Sequence, residues 1–262
     1  MTDNTPTFID SHCHLTAKEL ACDVEGVLRR AGQAGVRRCI TIGTALEDSR
    51  QTVALASRFD GVSATAGILP SGRDSIEESE WTGLAGLLDA GGVVGVGETG
   101  LDYHWDSIDR ALERDAFLRQ IALAETYDLP LVIHCREAVD DTLAILADRG
   151  RQPPRGVFHC FTGTRDEAAR IIEAGWHISL SGIATYKNAE QIRRAAEVIP
   201  PDRLLLETDA PYNTPAPIRK KRPNEPAHMV HTCLCLADVY EEAPAELARR
   251  CTQTTERLFG LT

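Results

Sequence analysis

The chain has 262 residues, of which 43% are hydrophobic and 26% charged, so it is long enough to bury a sizeable core and falls in the size range of one α/β barrel. Lys and Arg number 28 and Asp and Glu 39, and the resulting net charge of −11 excludes a broad cationic face for nucleic acid. No apolar run approaches the roughly 18 residues of a membrane span, and the start MTDNTPTFID lacks the basic and apolar regions of a secretory signal. We therefore expect a single cytoplasmic domain over residues 1–262, in which any phosphate recognition is local.

Short apolar runs alternate with helix-period stretches from one end of the chain to the other. The candidate strands are residues 7–11, 38–43, 62–68, 93–98, 131–135, 157–161, 177–181 and 204–208. Apolar residues recur three and four apart in candidate helices at residues 17–34, 48–58, 109–127, 139–149, 165–174 and 189–198. Eight such repeats predict a (β/α)8 TIM barrel with parallel strands, with an open doubly wound sheet as the alternative.

Histidines at the end of the first predicted strand suggest a metal site. Alternation along a strand predicts that Asp10, His12 and His14 share one side, so that both imidazoles approach one ion. Barrel enzymes build their sites at the carboxyl ends of the strands, and imidazole suits zinc and related divalent ions. We therefore predict that His12 and His14 are metal ligands and that Asp10 supports them.

Acidic and histidine side chains also end later strands. Glu98 ends the fourth predicted strand, where a buried carboxylate is costly unless it is paired or metal-bound. His134 and His159 end the fifth and sixth strands at matched depth, so they are expected to share an ion. Asp209 follows the eighth strand as a further ligand, whereas Glu207, one layer deeper, is expected to orient a ligand or an arginine.

These positions suffice for two divalent metal ions. One ion would take His12, His14, Glu98 and Asp209, and the other would take Glu98, His134 and His159, with Glu98 as the bridge. Two ions roughly 3.5–4 Å apart activate a water and stabilise the attacking and leaving oxygens of an in-line displacement, which suits a phosphodiester. We expect Glu98 and Asp209 to act in catalysis, and the ligand types admit zinc, manganese, magnesium or iron.

Several sequence blocks carry a family resemblance. They are DSHCHL at 10–15, GETGLDY at 97–103, HCR at 134–136, FHCFTG at 158–163, ETDAPY at 207–212 and PNEP at 223–226. In this order they resemble the TatD family, over nearly the whole chain. The resemblance implies a metal-dependent deoxyribonuclease of the amidohydrolase-like barrel superfamily, often a 3′-to-5′ exonuclease, with the same two-metal partition and with DNA or another nucleic acid as substrate.

One departure from the family pattern affects the expected substrate. Relatives often carry a histidine in a Gly-x-His-Pro turn after the third strand, where it can contact phosphate, but this chain has Leu69 in that position. Leucine cannot donate that hydrogen bond, although the metal ligands are untouched. Hydrolysis of another ester or amide, such as an aminoacyl-tRNA or a small molecule, therefore stays open. A non-catalytic metal-binding scaffold is a third reading, which the complete ligand set disfavours.

Four side chains are candidates for phosphate binding. Arg136 lies two residues beyond His134 and is expected to face inward, either to bind phosphate or to pair with Glu207. His104, next to Trp105 in a loop at the mouth, contacts substrate or only packs in its loop. Lys220 and Lys221 belong to the run RKKR at 219–222, in a proline-rich loop over residues 210–222 that we place over the barrel mouth. That run is either a polyanion handle or a solvated face.

The eight cysteines are scattered and are expected to be thiols. Cys135 and Cys160, each next to a predicted histidine ligand, should point away from the site into the layer between barrel and helices. Cys233 and Cys235 lack a second CxxC pair and are expected to pack in a helix rather than to bind zinc.

Overall fold

Eight parallel strands lie side by side in chain order in the computed structural model, which describes residues 7–70, 73–105, 109–148 and 155–261. They are β1 (Phe8–Cys13), β2 (Val36–Thr41), β3 (Val62–Ala66), β4 (Gly95–Asp102), β5 (Leu131–Arg136), β6 (Gly156–Phe158), β7 (His177–Leu180) and β8 (Leu204–Leu206). Each of the seven neighbouring pairs in this order is parallel. The predicted (β/α)8 barrel is therefore confirmed, and the open doubly wound sheet is wrong.

Helices follow the strands around the outside of the barrel. They are α1 (Lys18–Ala21), α2 (Val24–Gln33), α3 (Leu46–Ala56), α4 (Glu78–Asp89), α5 (Arg110–Tyr127), α6 (Val139–Ala147), α7 (Arg165–Glu173), α8 (Glu190–Ala196), α9 (Met229–Val239) and α10 (Pro244–Phe259). No helix in the described ranges is both long and apolar enough to span a membrane. The predicted helix at 139–149 ends earlier, at Ala147, and Arg149 lies outside the described residues.

The predicted helix at 17–34 is in fact two helices. The first ends at Ala21, and Asp23 caps the second, because its side chain accepts a hydrogen bond from the Gly26 backbone N–H at 3.1 Å. Helix α4 was not among the predicted helices, since two glycines weaken its helical pattern. One of them, Gly83, packs so closely against α3 that a Cβ there would lie 2.6 Å from Leu46 Cδ2.

Backbone hydrogen bonds join the two ends of the sheet. The N–H of Asp209 donates to the carbonyl of His12 at 2.9 Å, and the N–H of His14 donates to the carbonyl of Ala210 at 2.7 Å. The segment after β8 is thereby held against the end of β1. This closure brings Asp209 beside the two histidines of β1.

The interior of the barrel is apolar at the amino end of the strands and polar at the other. Its apolar cluster consists of Ile9, Ile40, Ile42, Val132, Val157, Leu205, Leu258 and Phe259. The last two belong to α10 and reach this interior cluster, whereas a larger apolar cluster lies between the strands and the surrounding helices. Polar side chains of the interior therefore gather at the carboxyl end, where they can meet substrate.

Candidate metal centre

The structure brings all six predicted ligands together at the carboxyl end of the barrel. Their side chains are between 1% and 22% exposed, with His12 the most buried and His134 the most accessible. They are His12, His14, Glu98, His134, His159 and Asp209. Six largely buried polar groups in mutual contact are typical of a metal site, because burying such groups is costly unless they are paired or bound to a metal.

Four side-chain atoms form a first ligand set, namely the Nε2 atoms of His12 and His14, Glu98 Oε2 and Asp209 Oδ1. The Nε2 atoms of His12 and His14 are 3.2 Å apart, and each lies 3.4–3.9 Å from Glu98 Oε2 and Asp209 Oδ1. A tetrahedral ion with ligand distances of about 2.0–2.2 Å holds its ligand atoms about 3.3–3.6 Å apart. The observed separations are therefore close to those that one ion would impose.

The other oxygen of Glu98 faces a second set. Glu98 Oε1 lies 3.0 Å from His134 Nδ1 and 3.0 Å from His159 Nε2, and those two nitrogens are 3.4 Å apart. The sets are contiguous, because the rings of His12 and His159 stack at 3.8 Å. One carboxylate thus presents a different oxygen to each set, as a bridging ligand must.

The charge states of the buried groups suit metal binding. Burial lowers the pKa of His12 well below its usual range, so its ring is neutral and keeps a lone pair. For Glu98, burial alone would raise the pKa, but the imidazoles of His159 and His134 outweigh it and hold the pKa well below normal. The ionised carboxylate of Glu98 and the neutral ring of His12 are strong donors for a divalent cation. Burial alone would lower the pKa of His159, but Glu98 and Glu207 hold it well above normal, so a bound cation would displace the proton of that ring.

A neighbouring carboxylate that the sequence analysis did not assign orients His134. Asp102 Oδ2 lies 2.9 Å from His134 Nε2, which leaves Nδ1 for Glu98. Burial alone would lower the pKa of His134, but Asp102 and Glu98 raise it to about 9. The predicted fourth strand ended too early, at Glu98. The observed β4 continues to Asp102, four residues further on, and alternation over that length would have placed both acids on one face.

Two further side chains hold ligands in place. Glu207 Oε1 lies 3.5 Å from His159 Nδ1, and its other oxygen accepts a hydrogen bond from Ser179, so Glu207 contacts one of the predicted ligands. Asn213 Nδ2 donates to Asp209 Oδ2 at 2.6 Å, which leaves Oδ1 for the imidazoles. Asn213 carries no motif signal of its own, and only its distance from Asp209 reveals it.

The expectation that Asp10 shares one side with the histidines is wrong. Its carboxylate lies next to the thiols of Cys13 and Cys39, which belong to the layer between barrel and helices, and it accepts hydrogen bonds from Thr208. The pairing of β1 with β2 shifts register between Asp10 and Cys13, and this irregularity breaks the simple alternation. Asp10 therefore fixes the backbone beside the site instead of facing a ligand ring, and its burial raises its pKa to about 8.

The two cysteines next to histidine ligands behave differently. Cys135 Sγ lies 3.5 Å from Thr142 Oγ1 of α6, in the helix layer as predicted. Cys160 does not point into that layer, because its backbone is left-handed, with φ of 44°, and its sulfur accepts a hydrogen bond from Asn213 at 3.3 Å. Both cysteines line a cavity of about 420 Å³ together with His134 and His159.

The predicted phosphate contacts at the ends of β4 and β5 lie on the rim. Arg136 lines the same 420 Å³ cavity, and its guanidinium lies 5.8 Å from the centre of the exposed Trp105 ring. It does not pair with Glu207, which contacts Ser179 and His159 instead. His104 lies with Nδ1 2.7 Å from Glu137 Oε1, so its ring is held against a rim carboxylate.

A cavity of about 570 Å³, which we call the main cavity, is lined by residues of both ligand sets. Its walls include His14, Glu98 and Asp209, and Leu69 also lines it, so the departure from the family pattern is at the substrate face. Arg73, which the sequence analysis did not single out, lines the cavity too and pairs with Glu80 at 2.6 Å.

The basic run at 219–222 is divided between two environments. Lys220 and Lys221 are exposed. Among the described residues, they line neither of the two cavities, of about 570 and 420 Å³, that are also lined by predicted histidine ligands. Their flanking arginines, Arg219 and Arg222, line an adjacent cavity of about 660 Å³ together with Tyr212. The expectation that the lysines lie over the site is therefore wrong, and the arginines are the closer cations.

Comparisons with known proteins agree with this geometry. The family model described as TatD related DNase matches residues 9–260. The chain is 37% identical to the uncharacterized metal-dependent hydrolase YcfH of Escherichia coli (97% of this chain, 96% of that protein) and 36% identical to the 3′-5′ ssDNA/RNA exonuclease TatD of Erwinia billingiae (96% and 98%). The solved structure of YJJV, a TatD homolog from Escherichia coli K12, superposes with a TM-score of 0.92 at 31% identity, over 97% of this chain and 98% of that one.

Proposed function

The chain belongs to the TatD-related DNase family of metal-dependent hydrolases, and from this premise we propose that it is a two-metal phosphodiesterase that removes nucleotides from single-stranded DNA or RNA in the 3′-to-5′ direction. The proposed ligands are His12, His14, Glu98 and Asp209 for one ion and Glu98, His134 and His159 for the other. The same fold serves other hydrolases, so the proposal depends on the site and not on the barrel.

The divided carboxylate of Glu98 carries the proposal. Its two oxygens face two separate sets of nitrogens at 3.0 Å and 3.6–3.9 Å. A glutamate that only formed an ion pair would need one partner, whereas this side chain is almost fully buried among four imidazoles. Bridging explains why both oxygens are engaged.

Each residue has a defined task in this proposal. When bound, the two ions would activate water and stabilise the oxygens that attack and leave phosphorus. Asp102 fixes the tautomer of His134, and Asn213 holds Asp209 so that Oδ1 faces His12 and His14. Asp209, 13% exposed at the mouth, would be the carboxylate that takes a proton from the attacking water.

The proposed substrate class rests on the relatives and on the volume of the main cavity. The TatD protein of Erwinia billingiae is named for single-stranded DNA and RNA, and this chain matches it over 96% of its length. The main cavity of about 570 Å³ lies within the range of about 300–1,000 Å³ typical of small-ligand sites, so it has room for a terminal nucleotide.

The direct test combines metal analysis with end-labelled substrates. Gently purified protein is expected to contain about two equivalents of divalent metal, and to shorten a 5′-labelled single strand one nucleotide at a time from its 3′ end. Aminoacyl-tRNA and small amides serve as comparison substrates. Turnover of either without cleavage of DNA or RNA would overturn the proposed substrate, and a single bound equivalent at full activity would overturn the two-metal assignment.

A further inference from the structure

A third cavity adjoins the metal centre on the side of the loop after β8. Its volume is about 660 Å³, and Glu19, Tyr186, Tyr212, Asn213, Arg219 and Arg222 are among the residues that line it. We refer to it as the arginine groove. Tyr212 also lines the main cavity above Glu98 and Asp209, so one exposed aromatic side chain separates the two spaces. A chain leaving the metal centre on this side passes over Tyr212.

The aromatic groups of the groove are placed for contact with a base. Tyr212 is 57% exposed, an unusual state for a large ring, and its ring centre lies 5.9 Å from that of His14. Tyr186, which also lines the groove, is held by a hydrogen bond from its hydroxyl to the Thr214 carbonyl at 3.1 Å. Nucleobases of any sequence stack on such rings.

The cations of the groove are free to bind phosphate. Arg219 lies flat over Tyr186, with Cζ 4.1 Å from the ring centre, and neither Arg219 nor Arg222 forms a salt bridge within the described residues. Glu19 is the one acid in the described wall, so the groove is locally positive in a chain of net charge −11. An unpaired guanidinium fork is the usual protein partner of a phosphodiester.

We infer that the arginine groove is a subsite for the uncleaved part of a single-stranded nucleic acid. A base stacks on Tyr212, and Arg219 and Arg222 hold the phosphates that follow it. This inference rests on the proposed function, because it assigns the rest of the same substrate. It also explains how a strongly acidic protein binds a polyanion, since the contact needs only this patch.

The chain supplies a matched control in the same loop. Arg219→Gln with Arg222→Gln removes two charges from the groove, whereas Lys220→Gln with Lys221→Gln removes two charges beside it. The measured quantity is the ratio of kcat/KM for a ten-nucleotide single strand to kcat/KM for a small aryl phosphodiester. The arginine pair is expected to lower that ratio about tenfold or more and to reduce the salt dependence of binding by roughly 1.4 in log–log slope, and the lysine pair to change the ratio less than twofold.

Two single variants extend the test. Tyr212→Leu removes the stacking ring from an exposed position, and is expected to raise KM for the oligonucleotide about tenfold. Glu19→Gln removes the opposing charge, and is expected to lower that KM.

The possible failures are distinguishable. If the native enzyme cleaves the small diester but no single strand, the proposed function fails, and the subsite with it. If it cleaves the single strand and the arginine and lysine pairs reduce the ratio equally, binding depends on general charge and the subsite is refuted while the function stands.

Discussion

Asp102→Asn tests whether metal affinity depends on a residue that touches no proposed ion. In the folded protein Asp102 is 8% exposed and its Oδ2 lies 2.9 Å from His134 Nε2. The carboxylate holds the proton on Nε2 and leaves Nδ1 as the ligand atom. The substitution keeps the shape of the side chain but removes its charge, so the ring loses both orientation and basicity.

The magnitude follows from the geometry of this contact. A hydrogen bond between a charged and a neutral group contributes about 1.5–3 kcal/mol, and loss of a carboxylate behind a metal-bound histidine typically weakens metal affinity 10–100-fold. The two ranges agree, since tenfold corresponds to about 1.4 kcal/mol. We expect Asp102→Asn to lower the affinity for one of the two metal equivalents about tenfold, and Asp102→Ala to lower it about a hundredfold.

Competition titration with a chelating dye measures each equivalent separately. Asp141→Asn is the matched control, because Asp141 is also an aspartate that accepts a hydrogen bond, from Tyr103 at 2.6 Å, but lies outside the ligand sets. It should bind both equivalents normally. Native affinity for both equivalents in Asp102→Asn would refute the assigned role, and equal weakening of both would show that Asp102 does not act through His134 alone.

Three further predictions follow from the same structure. Glu98→Gln should retain the fold but lower both metal occupancy and turnover, because one bridge serves both sets; full activity at normal occupancy would remove Glu98 from the site. Burial lowers the folded-state pKa of His177 to about 4, below the 6.5 of the unfolded chain, so this group contributes stability at pH 7 that is lost as the pH falls. From these values the free energy of unfolding falls by about 2 kcal/mol between pH 7 and pH 5 because of this group. In urea unfolding, His177→Asn should remove that part of the pH dependence. A pH dependence equal to that of the native protein would contradict the assignment. Leu69→His should raise DNA hydrolysis, by up to about 1.5–3 kcal/mol in transition-state free energy, with metal content constant, because Leu69 lines the main cavity; a flat or lower rate would show that this position does not reach the phosphate.

The barrel and the identity of the six clustered residues could be predicted from the sequence alone. Period-two and period-3.6 patterns are local, and the carboxyl ends of parallel strands meet at one rim, so His134 and His159 were predictable neighbours although 25 residues separate them. The family resemblance rests on the same residues. Strand ends were less predictable, and the early end assigned to the fourth strand concealed Asp102.

Features that depend on strand register and on close approach of the backbone arise only in the folded chain. The shift between β1 and β2 places the Asp10 carboxylate away from the ring of His12, although it still accepts a hydrogen bond from the His12 backbone N–H at 3.3 Å. The residue pattern of one strand does not show how that strand is aligned with its neighbour. Gly100 lets β4 pass so near β5 that a Cβ there would lie 1.9 Å from the His134 carbonyl oxygen, which brings Asp102 to its histidine. The division of the basic run, with arginines in the groove and lysines outside it, likewise depends on how one loop folds over the barrel, because irregular backbone has no period from which side-chain direction follows.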